Sequence, residues 1–193
     1  MSQPIFSTRM LVLMAIGIAL NMALGQLVAM LKLPVYLDSL GTMLVAVLCG
    51  PWIGGLTGLV TNLLWGLIQG PTAAFFAPVA AVIGMAAGLL ARAGLFRTPW
   101  GAAIAGAIIA VALAVVAVPI RIYLFGGVTG SGADFLTAYL TRVGQDLFSS
   151  VVVTVVTSNL ADKIATALLV WAIVRGLPQR AAGDWPYLTH SRN

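Results

Sequence analysis

Long runs of apolar residues, separated by short polar or proline-containing turns, occupy most of the chain. The first run, residues 10–31, is about 22 residues long, which at about 1.5 Å per residue is enough to cross the hydrocarbon core of a bilayer. A signal peptide would have a shorter apolar stretch followed by a cleavage site and a soluble domain, so we interpret this run as a retained membrane span.

Glycine and proline divide the rest of the chain into further apolar segments. Gly50-Pro51 separates the second segment from the third, Gly70-Pro71 separates the third from the fourth, and Pro78 predicts a kink within the fourth. We therefore predict an all-α membrane protein, a compact bundle of six transmembrane helices in a single domain, 1–193. The predicted spans are 9–31, 36–49, 52–69, 73–92, 100–125 and 159–177.

The topology depends on residues 134–158. As a seventh crossing, this segment would place Arg175 on the side of the membrane opposite Arg9. As an external amphipathic or re-entrant helix, it leaves six crossings and collects most arginines, Arg180 and Arg192 included, on one side, which the positive-inside rule favours. We predict the second arrangement, with both termini in the cytoplasm and a break before the last span.

The composition excludes several classes of function. Hydrophobic residues make up 61% of the 193 residues and charged residues 8%, and the mean hydropathy is +1.05, whereas soluble domains have about 25% charged residues. The chain contains no Glu, one Cys and one His. A zinc site, a disulfide framework and a Ser/His or Cys/His nucleophile system all lack parts. We expect a membrane protein that is not an enzyme and has no cofactor and no metal.

Polar residues lie near the same ends of several predicted spans. Asn159, Asp162 and Lys163 are spaced i, i+3 and i+4, so they share one face of a helix, and the six-span topology places them near the outer surface. The flat rings of Tyr36, Trp65 and Tyr123 could stack on an aromatic ligand. The candidate substrate-binding residues are Tyr36, Asp38, Asn62, Trp65, Gln69, Arg121, Tyr123, Asn159, Asp162 and Lys163.

Two other readings of these polar residues remain open. Asp162 and Lys163 could form only a buried ion pair while Arg121 extends to the headgroups. A proton relay would need a polar path to the cytoplasm, but residues 164–174 are almost wholly apolar. A pocket that opens only outward fits a binding subunit better than a channel.

The first span carries Ala15, Ala19 and Ala23 at intervals of four residues, which makes one stripe of the helix flat. Such a stripe permits close approach of another helix, either within this chain or from a separate membrane subunit.

Several motifs in order carry a family resemblance. They are the turn LPVYLDSLGT at 33–42, the Gly50-Pro51 hairpin, Gly70-Pro71-Thr72 before the fourth span, and NLADK at 159–163. With six short spans in under 200 residues, the chain resembles a substrate-binding S component of the energy-coupling factor (ECF) type ABC transporters, the vitamin and micronutrient importers of prokaryotes.

The resemblance implies a ligand held near the outer face of the cell membrane under the loop after the first helix. It implies that Ala15, Ala19 and Ala23 dock onto a transmembrane coupling subunit, and that two cytoplasmic ATPase subunits drive uptake. Asn159 and Lys163 match an Asn and a Lys of the riboflavin-specific members, with one extra residue between them. The biotin-type turn and the Glu residues of the thiamine-type members are absent, so a vitamin-like small polar or aromatic ligand is expected without further identification.

Two other classes of function remain. The chain could be a self-sufficient oligomeric transporter or channel, or a membrane sensor or assembly subunit that binds no metabolite. It lacks a G-x-x-x-x-G-K-[ST] loop, so an ATP-driven importer would take its ATP sites from partners.

Overall fold

The computed structural model describes residues 7–178 and Trp185, and within them all regular structure is helical. The predicted all-α class is therefore confirmed, while Arg180 and Arg192 lie outside the described residues. A 3-10 turn, Leu95–Arg97, precedes the sixth helix. The helices are α1 (Thr8–Met30), α2 (Leu40–Cys49), α3 (Pro51–Gln69), α4 (Thr72–Phe75), α5 (Ala77–Arg92), α6 (Pro99–Phe125), α7 (Asp134–Arg142) and α8 (Leu147–Gly176).

Side-chain caps fix where three of the long helices begin. The Ser7 hydroxyl accepts a hydrogen bond from the amide of Met10 at 3.3 Å, and the Thr98 hydroxyl accepts one from Gly101 at 3.0 Å. The Asp146 carboxylate accepts one from Ser149 at 3.0 Å and starts α8. Each cap satisfies an amide that has no partner within its own helix.

Among the described residues, four helices are long and apolar enough to cross a membrane, namely α1, α3, α6 and α8. Helices α2 and α5 are apolar but shorter, with 10 and 16 residues. The number of six crossings and the cytoplasmic position of the termini remain predictions.

Two interruptions of the helices lie at other residues than the sequence predicts. The fourth segment does not kink at Pro78 but is interrupted at Phe76, so that Pro78 stands at the start of α5, where its missing amide proton costs no hydrogen bond. The last helix begins at Leu147 and not at residue 159, because Gly144 (φ +95°) and the Asp146 cap make the break earlier. The β-branched residues that follow continue the helix, with Val151 buried against its neighbours.

Glycines bring the backbones of two helix pairs into contact. A Cβ atom at Gly84 of α5 would lie 2.3 Å from the backbone of Gly54 in α3, and one at Gly41 of α2 would lie 2.1 Å from the carbonyl oxygen of Gly17 in α1. Helices pack this closely where the facing residues are small.

A buried asparagine joins the first three helices. The amide nitrogen of Asn21 in α1 donates to the hydroxyls of Thr42 in α2 at 2.8 Å and Thr61 in α3 at 3.2 Å. Its oxygen accepts from the backbone amides of Gly41 at 2.7 Å and Thr42 at 3.3 Å. Asn21 is fully buried, so these bonds compensate the loss of water around its amide.

Candidate functional site

A cavity of about 350 Å³ lies at one end of the bundle, between α3 and α5 on one side and α6 and α8 on the other. The loop between α1 and α2 (residues 31–39) and the loop between α6 and α7 (residues 126–133) both contribute to its walls. Lys32 in the first loop donates a hydrogen bond to the carbonyl oxygen of Gly130 in the second at 3.1 Å. The two loops therefore meet over the cavity.

Eight of the ten predicted site residues line this cavity. Its apolar wall includes Phe76, Val79, Ile83 and Leu113, none of which was predicted as a site residue. The predicted residues that line it are Tyr36, Asp38, Asn62, Trp65, Gln69, Arg121, Asn159 and Lys163.

Lys163 of α8 is a buried cation at the centre of a first polar cluster, whose other members are Asp38, Ser39 and Asp162. Its ammonium group donates to the Ser39 hydroxyl at 2.7 Å and forms an ion pair with its neighbour Asp162. A third contact, at 3.5 Å, reaches the Asp38 carboxylate. A buried charge of this kind is tolerated because ion pairing and hydrogen bonds replace the water that it has lost.

Asp162 also ties the α1–α2 loop to α8. Its Oδ1 atom accepts hydrogen bonds from the backbone amides of Tyr36 at 3.1 Å and Leu37 at 2.7 Å. Leu37 has φ +47°, and Lys32 near the start of the same loop has φ +52°. This geometry turns two consecutive amides toward a single carboxylate oxygen, so Asp162 fixes the loop and does not itself face the cavity.

Arg121 of α6 lies at the centre of a second polar cluster. The guanidinium group donates to the carbonyl oxygen of Gly127 at 3.0 Å and to the Tyr36 hydroxyl at 3.4 Å. It also forms an ion pair with Asp134 at the start of α7 and contacts the Thr137 hydroxyl at 3.5 Å. Arg121 is 2% exposed, which rules out the reading in which its side chain extends to the headgroups.

Asp134 organises the α6–α7 loop around this arginine. Its carboxylate accepts hydrogen bonds from the backbone amides of Thr129 at 3.0 Å and Gly130 at 2.6 Å. An acid directly after a Gly/Ser/Thr-rich stretch is a typical loop-capping pattern, and that signal could have identified Asp134 as the cap of this loop, although not as the partner of Arg121. Sequence analysis did not assign it to the site.

Two amides and an aromatic ring complete the polar side of the cavity. The Asn62 side chain donates to the carbonyl oxygen of Ala73 at 3.2 Å, and Asn159 donates to that of Val155 at 2.8 Å. Trp65 can lie against α1 because residue 25 is a glycine: a Cβ atom there would be 2.0 Å from the six-membered ring of Trp65.

Burial alters the titration of both loop residues that face the cavity. The pKa of Asp38 is raised, mainly because the partly enclosed cavity leaves less water around the carboxylate than bulk solvent does, while the ammonium group of Lys163 opposes the shift. The pKa of the Tyr36 hydroxyl is also raised by burial, with Arg121 opposing.

Two predicted residues are not among those that line the cavity. Tyr123 is 82% exposed and lies on the outside of α6, because the helical repeat turns it away from Arg121, two residues earlier. Asp162 is buried beneath the α1–α2 loop instead. Within the described part of the chain, no group of three or more His, Cys, Asp or Glu side chains could hold a metal ion.

The alanine stripe of α1 lies on the surface of the described structure. Ala15, Ala19 and Ala23 are all exposed, whereas Gly17 and Asn21 face the bundle. Close packing inside this chain therefore uses the opposite face of α1, and the alanine stripe is accessible to another molecule.

A comparison with protein families gives one match, to the model for "ECF transporter, substrate-specific component", over residues 9–174. Comparisons with curated proteins and with solved structures give no significant match. The match spans all of the long helices almost completely and includes every residue of the two polar clusters. The chain therefore belongs to the family of substrate-specific components of ECF transporters.

Proposed function

We propose that this protein is the substrate-binding subunit of an ECF-type importer in the cytoplasmic membrane of a prokaryotic cell. It captures a vitamin-like small polar or aromatic micronutrient at the outer face, and partner subunits drive uptake with ATP. The observation that supports this most directly is the 350 Å³ cavity, which combines an apolar wall with a few fixed polar groups at one end of the bundle. Small-molecule sites generally have this composition.

The apolar inner half of α8 supports a binding subunit over a channel. Below Lys163, the buried face of α8 continues with Ala167, Val170 and Val174, and the one polar residue there is Thr166. An ion or proton pathway needs polar groups along its length. Transport of a bound ligand therefore requires a movement that partner subunits supply.

The exposed alanines of α1 are the proposed docking site for the transmembrane coupling subunit. Small residues let a partner helix approach closely, and a large side chain in the stripe would prevent this. Ala19→Trp should therefore abolish co-purification of the coupling subunit and the two ATPases with the tagged protein. Ala165→Trp is a matched control, because Ala165 is an exposed alanine on α8.

The proposal is tested by co-expressing the tagged protein with an ECF module and by native mass spectrometry of the purified chain. We expect the module to co-purify with the wild type and with Ala165→Trp but not with Ala19→Trp. We also expect the isolated chain to bind one small molecule per protein. If Ala19→Trp retains the module, α1 is not the docking face. Uptake by the chain alone in liposomes would instead identify a self-sufficient transporter.

A further inference from the structure

The polar groups of the cavity select a ligand by hydrogen-bond type. We infer that the cavity takes a ligand with several N–H donors, a protonated amine carried on a flat heteroaromatic ring, and that Asp38 binds its ammonium group. This inference rests on the proposed function, because it assigns a chemical class to the substrate of the same cavity. It follows from which donors and acceptors are already engaged within the protein.

The two cations at the cavity have most of their donors engaged by the protein. An ammonium group has three N–H donors, and Lys163 directs them to Ser39 at 2.7 Å, to Asp162 and to Asp38 at 3.5 Å. Arg121 makes four contacts with its five N–H donors, to one carbonyl oxygen, two hydroxyls and the Asp134 carboxylate. Both cations are therefore paired with carboxylates of the protein, and at most one N–H donor of Arg121 is left for an anionic ligand.

The two asparagines present acceptors. Asn62 and Asn159 both donate to backbone carbonyl oxygens, at 3.2 Å and 2.8 Å. A carbonyl oxygen can only accept, so these bonds fix which side of each amide carries the nitrogen. The side-chain oxygens then remain available to accept hydrogen bonds from a ligand. The hydroxyls of Tyr36 and Ser39 can donate or accept, so they do not select between ligand types.

Asp38 is the most accessible carboxylate of the two clusters. Its side chain is 30% exposed, compared with 0% for Asp162 and 16% for Asp134. Its contact with Lys163 is long, at 3.5 Å, while Lys163 also pairs with Asp162. Asp38 therefore has hydrogen-bonding capacity that the protein leaves unused.

The charge balance of the two clusters also favours a cation. Three carboxylates, Asp38, Asp134 and Asp162, face two cations, Arg121 and Lys163, so the clusters carry one excess negative charge. Lys32 lies on the exposed rim, where water screens it. An ammonium ligand neutralises the excess charge, whereas a carboxylate ligand increases it in a region of low dielectric.

An aromatic ring lies beside the Asp38 carboxylate. A Cβ atom at Gly25 would lie 2.0 Å from Trp65 and 3.1 Å from the Cβ atom of Asp38, so both side chains meet at this glycine. A cation bound by Asp38 is therefore close to the six-membered ring of Trp65, which would attract it wherever the cation lies over the ring face. The volume of about 350 Å³ is at the small end of the range for ligand pockets, which fits a single-ring compound.

Three compounds with one ring and different side groups test the inference: pyridoxamine, which carries an amine, pyridoxine, which carries an alcohol, and 4-pyridoxic acid. Their binding to the full chain in detergent is measured by calorimetry, for the wild type and for Asp38→Asn. Asp146→Asn is the matched control, because Asp146 is an exposed cap of α8 that does not line the cavity. An asparagine retains that cap.

We expect pyridoxamine to bind the wild type at least tenfold more tightly than either other compound. Asp38→Asn should weaken pyridoxamine binding at least tenfold and change pyridoxine binding less than threefold, while Asp146→Asn changes neither. Tightest binding of 4-pyridoxic acid, or unchanged pyridoxamine binding in Asp38→Asn, would overturn the inference and leave the binding subunit intact. Failure of all three compounds at millimolar concentration also overturns it, and the co-purification experiment then decides separately whether the proposed function survives.

Discussion

Replacing Asp162 by Asn removes one negative charge from the interior of the bundle with almost no change of shape. In the wild type, this carboxylate forms an ion pair with Lys163 and accepts two backbone amides of the α1–α2 loop. An asparagine oxygen can still accept hydrogen bonds from the loop amides. Its NH₂ group then faces the ammonium group of Lys163, and no hydrogen bond forms because both groups are donors. The substitution therefore breaks the ion pair selectively.

The expected cost follows from the remaining partners of Lys163. Removing one member of a buried ion pair destabilises proteins by about 3–5 kcal/mol, because the other charge stays buried without compensation. Lys163 retains the Ser39 hydroxyl at 2.7 Å and the Asp38 carboxylate at 3.5 Å. We therefore expect a loss near the lower limit, about 3 kcal/mol of the free energy of unfolding.

Reversible unfolding by sodium dodecyl sulfate in mixed micelles measures this loss, in a cycle of Asp162→Asn, Lys163→Met and the double variant. The double variant lacks both charges, so it should be more stable than the sum of the single losses predicts, by about 2 kcal/mol. Asp146→Asn again serves as the control for an exposed aspartate. A loss below about 1 kcal/mol in Asp162→Asn, or additive losses in the cycle, would refute a buried ion pair at this position.

Two further predictions concern packing and pH. Gly84→Ala should lower the free energy of unfolding by about 1–3 kcal/mol in the same sodium dodecyl sulfate titration, because its Cβ atom would lie 2.3 Å from Gly54. Gly176→Ala is the control and should change this free energy little, because the new atom would lie in open space. Equal effects of the two substitutions would contradict the close α3–α5 contact. Protonation of Asp38, whose pKa is raised by burial, removes the charge that an ammonium ligand needs. Pyridoxamine affinity should therefore be full above that pKa and fall as the pH drops through it, in a calorimetric series from neutral pH down to the ordinary aspartate pKa of about 3.9. Asp38→Asn should lack this dependence, and a profile shared by both proteins would assign the titration to another group. The titratable groups that act on Asp38 or share its loop are Lys32, Tyr36, Asp162 and Lys163.

The sequence was sufficient for the features that depend on local signals. Apolar runs between Gly-Pro turns predicted the helical segments, and the i, i+3, i+4 spacing predicted that Asn159 and Lys163 face one site. The predicted start of the last span at residue 159 rests on treating residues 134–158 as an external segment, whereas α8 already begins at Leu147 and Val151 is buried against its neighbours. Asp146, whose carboxylate caps the first turn of α8, indicates the start of this helix better than the distribution of arginines does.

The missing part of the site depends on contacts between distant segments. Asp134 pairs with Arg121 only because the α6–α7 loop folds back over α6. The sequence alone does not show that these two segments meet. Asn21 is different, since an amide in the middle of an apolar span indicates an internal hydrogen-bond partner. Its partners Thr42 and Thr61 could not be named without the crossing of α1 with α2 and α3.

The left-handed backbone of the α1–α2 loop stores conformational strain. Leu37 and Lys32 both adopt positive φ angles, +47° and +52°, and residues other than glycine pay about 1–3 kcal/mol for such a conformation. The hydrogen bonds to Asp162 hold Leu37 there. When the loop leaves α8, Leu37 can relax, whereas Lys32 stays in the turn that ends α1, and the strain released at Leu37 offsets part of the energy of the broken hydrogen bonds. The loop is therefore held over the cavity by a smaller net free energy than its contacts alone would give.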